Sequence, residues 1–248
     1  MQAITIAIRR PALVGGLTHM DFDSSEISQS IALTIELASV TTVILLVIGV
    51  PLAWWLARSK TFLSEAVAAL IALPLVLPPA ALGFCVLVLL GPDGPGGVLA
   101  SFWGERTLAL TFVGIVVGSV LSALPLVVQP IRNAFLAVGD HPLEMTGRVS
   151  PLYGFVAIIA PLARLELVKA AVLGFSHTIG TFGVVMMIGG NIPGRTKVLS
   201  AYVVGLRPRA ALARGSVVAA GMVMFAFATI FTLAIIDRHC TGRGNESS

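Results

Sequence analysis

Five long stretches of this chain carry no Asp, Glu, Lys or Arg: residues 37–57, 66–92, 107–131, 170–194 and 215–236. Roughly 20 helical residues are needed to cross about 30 Å of hydrocarbon, so each stretch is long enough to span a bilayer. The fold class they imply is all-α, a polytopic membrane helical bundle of about five transmembrane helices. We draw the spans at about 33–57, 66–91, 107–131, 165–190 and 215–236, inside a membrane domain of residues 31–238. A sixth charge-free stretch, 149–163, is too short to cross unaided and holds Pro151, Gly154 and Pro161. It reads as a re-entrant or interfacial segment. Composition closes off the other classes. Of 248 residues, 56% are apolar and 11% are charged, against about 25% charged in an average soluble domain. A soluble core of this size needs a polar shell, and 16 basic plus 12 acidic residues are too few to make one. A soluble enzyme, a disordered chain and a nucleic-acid reader are all excluded.

The ends are less apolar. Residues 1–30 form a separate N-terminal segment, in which Arg9, Arg10 and Pro11 interrupt a short apolar run. A signal peptide places its charges before the apolar region, and here they follow it. Asp21, Asp23 and Glu26 make a polar stretch, after which Ser28 or Ser30 is placed to cap the first long helix. Residues 239–248 form a polar tail. With five spans, the 16 basic residues divide evenly between the two faces. The positive-inside rule therefore gives no orientation. Cys85 and Cys240 make no disulfide framework. His19, His141, His177 and His239 lack zinc-ligand spacing, so no metal site is expected.

Two spans contain residues that a plain membrane helix does not need. The second holds Leu73-Pro74-Leu75-Val76-Leu77-Pro78-Pro79. Each proline removes a backbone donor, so Pro74, Pro78 and Pro79 should break or kink the helix. The freed carbonyls need partners, which places this backbone among neighbouring helices or beside a water-filled cavity. A packing kink and a hinge or pathway role, as in the discontinuous helices of transporters, both fit. The fourth span is the most polar, with Ser176, His177, Thr178, Gly180 and Thr181 in succession. Helix packing through small residues accounts for Gly174, Gly180 and Gly183. His177 is harder to place in lipid, and it reads either as a pathway residue or as a satisfied packing histidine.

No catalytic constellation accompanies these residues. Ser176 and His177 point about 100° apart on a helix, so they do not face each other. No nucleophile elbow, metalloprotease motif or phosphate-binding glycine loop is present. Any energy source must then be an ion gradient or a separate subunit. An ion-coupled carrier usually holds an acid in mid-span. The nearest candidate, Glu36, sits at the outer end of the first span, which favours a separate energy-supplying subunit.

Taken in order, these segments resemble the membrane subunit of molybdate ABC importers over about residues 28–238. The second-span proline run looks like that family's signature. So do Gly180-x-Phe182-Gly183 with Gly190-Asn191-Ile192-Pro193-Gly194-Arg195-Thr196, and the first-span ending Pro51-Leu52-Ala53-Trp54-Trp55-Leu56-Ala57-Arg58. Sulfate permeases share the Asn-x-Pro-Gly-basic-Thr pattern; the double proline and Ile192 point to molybdate or tungstate. A sulfate or other oxyanion permease is the alternative, with a gradient-driven carrier behind it.

The resemblance implies a type I ABC importer permease fold in the bacterial plasma (inner) membrane, with the N-terminus outside and the C-terminus in the cytoplasm. It implies a homodimer, two ATP-binding cassette ATPase subunits and an extracytoplasmic molybdate-binding protein. ATP would be used by the partner and no cofactor held by this chain. Pro74, Pro78, Pro79, Ser176, His177, Thr178, Gly180 and Thr181 would line the pathway, with no tight site for the dianion. Segment 139–160 would dock on the ATPase through Glu144, Met145, Thr146 and Gly147, closing near Pro161. Asn191, Pro193, Gly194, Arg195, Thr196, Arg207 and Arg209 would face the binding protein. Two departures stand out. Met145-Thr146 replaces the family's Ala-Ala in a segment about two residues short. His177 and Thr181 stand where the family often has Arg and Glu.

Overall fold

A computed structural model describes residues 24–102, 104–138, 160–205 and 215–244 of the chain. All regular structure among them is helical. The first helix, α1 (Ser24–Arg58), has Glu26 in its first turn and Arg58 in its last, each the sign that the helix dipole favours. At 1.5 Å per residue it is about 50 Å long, well over the thickness of a bilayer core. It starts earlier than its sequence suggested: Ser28 and Ser30 lie inside it rather than at its cap. Three of its hydroxyls are satisfied within the helix, while the buried Thr41 hydroxyl has no partner among the described residues. The hydroxyls of Thr34, Ser39 and Thr42 donate to the carbonyls of Ser30, Ile35 and Ala38 at 2.6–2.7 Å.

The second charge-free stretch is not one straight helix. α2 (Phe62–Val76) starts at a capping box, in which the Thr61 hydroxyl accepts from the Ser64 N–H and the Ser64 hydroxyl accepts from the Thr61 N–H. It ends at Leu77, whose extended backbone (ψ 138°) is the one a following proline imposes. Pro78 caps α3 (Pro79–Leu90), with Pro79 in the first helical position, where a missing N–H costs nothing. The two helices meet at 118°. After the short helix α4 (Pro95–Ser101) comes α5 (Phe112–Val138). The fourth charge-free stretch is also divided, into α6 (Ala160–Gly180) and α7 (Gly183–Gly189), bent by 60°. α8 (Leu199–Gly205) and α9 (Ser216–Gly244) follow; α9 carries the last span past Ile236 into the expected tail. Among the described residues, three helices are long and apolar enough to cross a membrane alone, and five spans result if each bent pair counts as one.

α5 is the central helix. Of its most apolar 18 residues 56% are buried, against 28% for α1 and 6% for α9, which is outermost. α1 and α6 pack along α5, while α3 and α7 pack on each other and on the start of α5. The core forms two clusters. One gathers Leu45, Leu56, Val127, Ile131 and Phe135; Trp54 meets Phe135 edge-on at 5.3 Å and carries the Arg58 guanidinium 4.1 Å above its ring. The other gathers Leu37, Val86, Ile115, Val184 and Ile188. A polar layer lies between them: Thr41 falls between Leu37 and Leu45 on α1, and Ser119 and Ser122 between Val116 and Ala123 on α5.

Candidate functional site

The two helix breaks meet at that polar layer. A cavity of about 590 Å³ opens there, lined by Pro74, Leu77 and Pro79 at one break, by His177, Gly180 and Thr181 at the other, and by Ser122 of α5. The breaks touch directly. A Cβ built on Gly183 would stand 2.9 Å from Pro79 Cβ, so only glycine lets α7 start this close to α3. Around Gly180 the opposite holds, with no heavy atom within 4 Å of a built Cβ. Backbone groups freed by the second break find partners. The Thr181 N–H donates to the Thr178 carbonyl (3.3 Å) and the Thr181 hydroxyl to the His177 carbonyl (2.8 Å). The Ser200 hydroxyl of α8 donates to the Thr181 carbonyl (3.1 Å). This is how an interrupted helix survives in an apolar bundle. Among the described residues the lining offers two hydroxyls and an imidazole in a mostly apolar wall, and neither a carboxylate nor a fixed positive charge. Both hydroxyls donate to backbone carbonyls, Ser122 to Ser119 at 3.0 Å and Thr181 to His177, so each must turn to donate to an anion. A second groove, of about 450 Å³ between α1, α6 and α9, is lined by Ile27, Ile31, Phe175 and Phe225 and offers an anion almost nothing.

Five of the eight residues that the sequence pointed to as pathway line the cavity: Pro74, Pro79, His177, Gly180 and Thr181. Pro78 is exposed and is not part of the lining. The Thr178 side chain is buried, and its hydroxyl donates to the Gly174 carbonyl at 2.9 Å. Ser176 faces α9 and donates to the Thr229 hydroxyl at 3.1 Å, while Thr229 donates to the Phe225 carbonyl. The packing role read for the glycines holds at Gly174, whose built Cβ would stand 2.9 Å from Val127, and at Gly183, and fails at Gly180. Ser122 was missed by sequence reasoning. Its signal was a hydroxyl recurring after Ser119 within an otherwise apolar span. The Ser176–Thr229 bond joins the outermost helix to the bundle. Ser176→Ala and Thr229→Val should each lower stability by about 0.6 kcal/mol. The double variant should cost less than the sum, read from thermal unfolding in detergent. Full additivity would show that the two hydroxyls do not pair.

The loop after α7 is a built turn. Gly190 closes α7 in the left-handed region (φ 66°) and Asn191 continues it (φ 55°). The N–H groups of Arg195, Thr196 and Lys197 converge on the Ile192 carbonyl at 2.9–3.1 Å. Thr196 is buried; its hydroxyl donates to the Gly189 carbonyl and accepts from the Ile192 N–H. Pro193, Gly194 and Arg195 are exposed and Asn191 is half-buried, so the face open to a partner is narrower than the motif. Lys197 is held by an ion pair with Glu26 and lies 5.2 Å from the Tyr202 ring centre. The Leu199 N–H donates to the Thr34 hydroxyl at 2.8 Å, a further tie to α1. Glu144, Met145, Thr146, Gly147, Arg207 and Arg209 lie outside the described residues, as does the coupling segment 139–160 except at its last position. Pro161 is the second residue of α6.

Interrupted helices around a cavity with a few polar groups, in a bundle with an apolar surface, are the architecture of a multi-pass membrane protein. No family model matches the chain. Sequence comparison is specific. The chain is 51% identical over 206 residues to the molybdenum transport system permease protein ModB of Azotobacter vinelandii, covering 82% of this chain and 91% of that one. It is 30% identical over 223 residues to ModB of Escherichia coli K12, covering 87% and 96%. A probable molybdenum ABC transporter permease protein of Haloferax volcanii is 33% identical over 154 residues, covering 61% and 55%. The chain belongs to the family of molybdenum transport system permeases.

Proposed function

We propose that this chain is the membrane-spanning subunit of an ATP-driven importer of molybdate, with tungstate as the chemically equivalent cargo. The observation that carries the reading is the cavity at the two breaks. Molybdate is a tetrahedral dianion, and bare transfer into hydrocarbon would cost tens of kcal/mol. A lining of hydroxyls, imidazole and backbone groups at the level of the polar layer lowers that cost. Without a guanidinium or ammonium in the lining the dianion is held weakly, as suits a conduit whose selectivity is set elsewhere. Leu75 and Pro79 on the cavity's rim are exposed, which leaves room for a second copy to complete the passage.

In this reading two copies pair, two ATP-binding cassette subunits dock on segment 139–160 and near Pro161, and a binding protein delivers the anion to the turn at Pro193, Gly194 and Arg195. The C-terminus is cytoplasmic, and ATP is consumed by the partner while this chain holds no cofactor. Co-reconstitution of the chain with its ATPase and binding protein in liposomes tests the reading. Molybdate uptake should require ATP hydrolysis and stop when the ATPase is inactivated. Accumulation by the chain alone, driven by a proton or sodium gradient, would overturn it.

A further inference from the structure

The seam between α2 and α5 holds a second cavity. Pro74, Leu75 and Ser122 from these two helices form one wall of the cavity at the breaks. Two turns further along α5 the same seam opens into a space of about 300 Å³, lined by Ala68, Ile71 and Ala72 of α2, Leu56 of α1, and Gln129, Arg132 and Asn133 of α5. At 100° per residue Ser122, Gln129 and Asn133 fall on one stripe of α5, at spacings of seven and four, with Arg132 at its edge. The rise from Ser122 to Gln129 is about 10 Å. The two cavities thus open on the same face of α5, with Pro125 and Leu126 between their polar residues.

Arg132 is out of place there by ordinary stability arguments. Among the described residues its Nε is buried without a hydrogen-bond partner, and no described acidic residue lines the cavity or pairs with it. A guanidinium drawn partly out of water without a counter-ion is costly. Arg132 is half-buried, and its planar fork of donors is matched by an oxyanion with several acceptor oxygens. The neighbouring Gln129 and Asn133 amides add uncharged donors. We infer that Arg132, Gln129 and Asn133 form an oxyanion site at the end of the α2–α5 seam. Its occupant is a tetrahedral oxyanion, whether the free dianion leaving the passage or the phosphate of a lipid headgroup. The first source rests on the transport reading above; the site itself does not.

The test is binding to the purified full-length permease–ATPase complex without nucleotide, so that it needs neither turnover nor transport. Radiolabelled molybdate is measured by equilibrium dialysis, and retained phosphatidylglycerol by native mass spectrometry, for the wild type, Arg132→Gln and Gln129→Glu. Gln129→Glu supplies an internal counter-ion for Arg132, so it should empty the site without loss of thermal stability, which separates site loss from misfolding. At least a tenfold loss of molybdate binding in both variants assigns the free dianion. Unchanged molybdate binding with loss of phosphatidylglycerol in both variants assigns the headgroup. If neither ligand is lost in either variant, the site does not exist. A wild-type complex that binds through Arg132 yet, reconstituted with its binding protein, transports nothing with ATP would refute the importer reading and leave this site standing.

Discussion

Gly180→Trp is expected to cut ATP-driven molybdate uptake at least tenfold while the bundle unfolds at the wild-type temperature. The two halves of that result come from one measurement on the structure. A Cβ at Gly180 meets no heavy atom within 4 Å, and the backbone there is not in the left-handed region that excludes other residues. A large side chain can therefore be added without displacing a neighbour. The space it enters is the cavity at the two breaks, whose polar lining is Ser122, His177 and Thr181. An indole there takes up room and covers polar groups with an apolar face, so a hydrated dianion loses both its passage and its partners. ATP hydrolysis by the partner subunits should persist, because Gly180 lies far along α6 from the expected docking segment. Uptake in liposomes and thermal unfolding in detergent read the two halves separately. Normal uptake by a well-folded Gly180→Trp variant would show that molybdate does not cross at this cavity.

Fold class was readable from sequence because what decides it is local. A run without charges long enough to cross a bilayer is favourable there whatever it packs against, and three prolines cannot all continue one helix. The angle at the break was not readable. It depends on α3 lying against α7, a contact between Gly83 and residues a hundred positions away. The site was legible by halves for the same reason. His177 and Thr181 are four residues apart, hence on one face, and both line the cavity. Ser176 and Thr178 share that polar cluster in sequence, but a turn of about 100° per residue sends them to α9 and back onto their own helix. Ser122 went unseen because a serine in an apolar helix, even one recurring after Ser119, looks the same whether it faces a cavity or a neighbour. The Asn-x-Pro-Gly-basic-Thr motif was visible, though not its reason. Thr196 serves the turn from inside rather than a partner from outside. The tie from Lys197 to Glu26 joins residues 171 positions apart, beyond any pattern along the chain.

Gly83→Val should lower stability by about 1–3 kcal/mol or more and impair uptake with it. Gly83 is buried on α3, and a Cβ there would stand 2.8 Å from Met187 Cβ, 3.1 Å from Val184 Cα and 3.2 Å from the Val184 carbonyl oxygen. These are backbone and near-backbone atoms of α7, not the ends of flexible side chains, so relief requires a whole helix to move. α7 has only seven residues and is fixed at both ends, by the break at Thr181 and by the Thr196-braced turn. Pushing it away from α3 moves Gly183 and Val184, which line the cavity. Destabilisation and loss of transport should therefore appear together, whereas Gly180→Trp separates them. Gly221→Ala on α9 is the control: no atom lies within 4 Å of its built Cβ, and alanine is the better helix former by up to about 1 kcal/mol. It should unfold at or above the wild-type temperature. Wild-type unfolding of Gly83→Val in the same detergent would mean that α3 and α7 do not approach backbone to backbone, and that the two breaks are not held together by this contact.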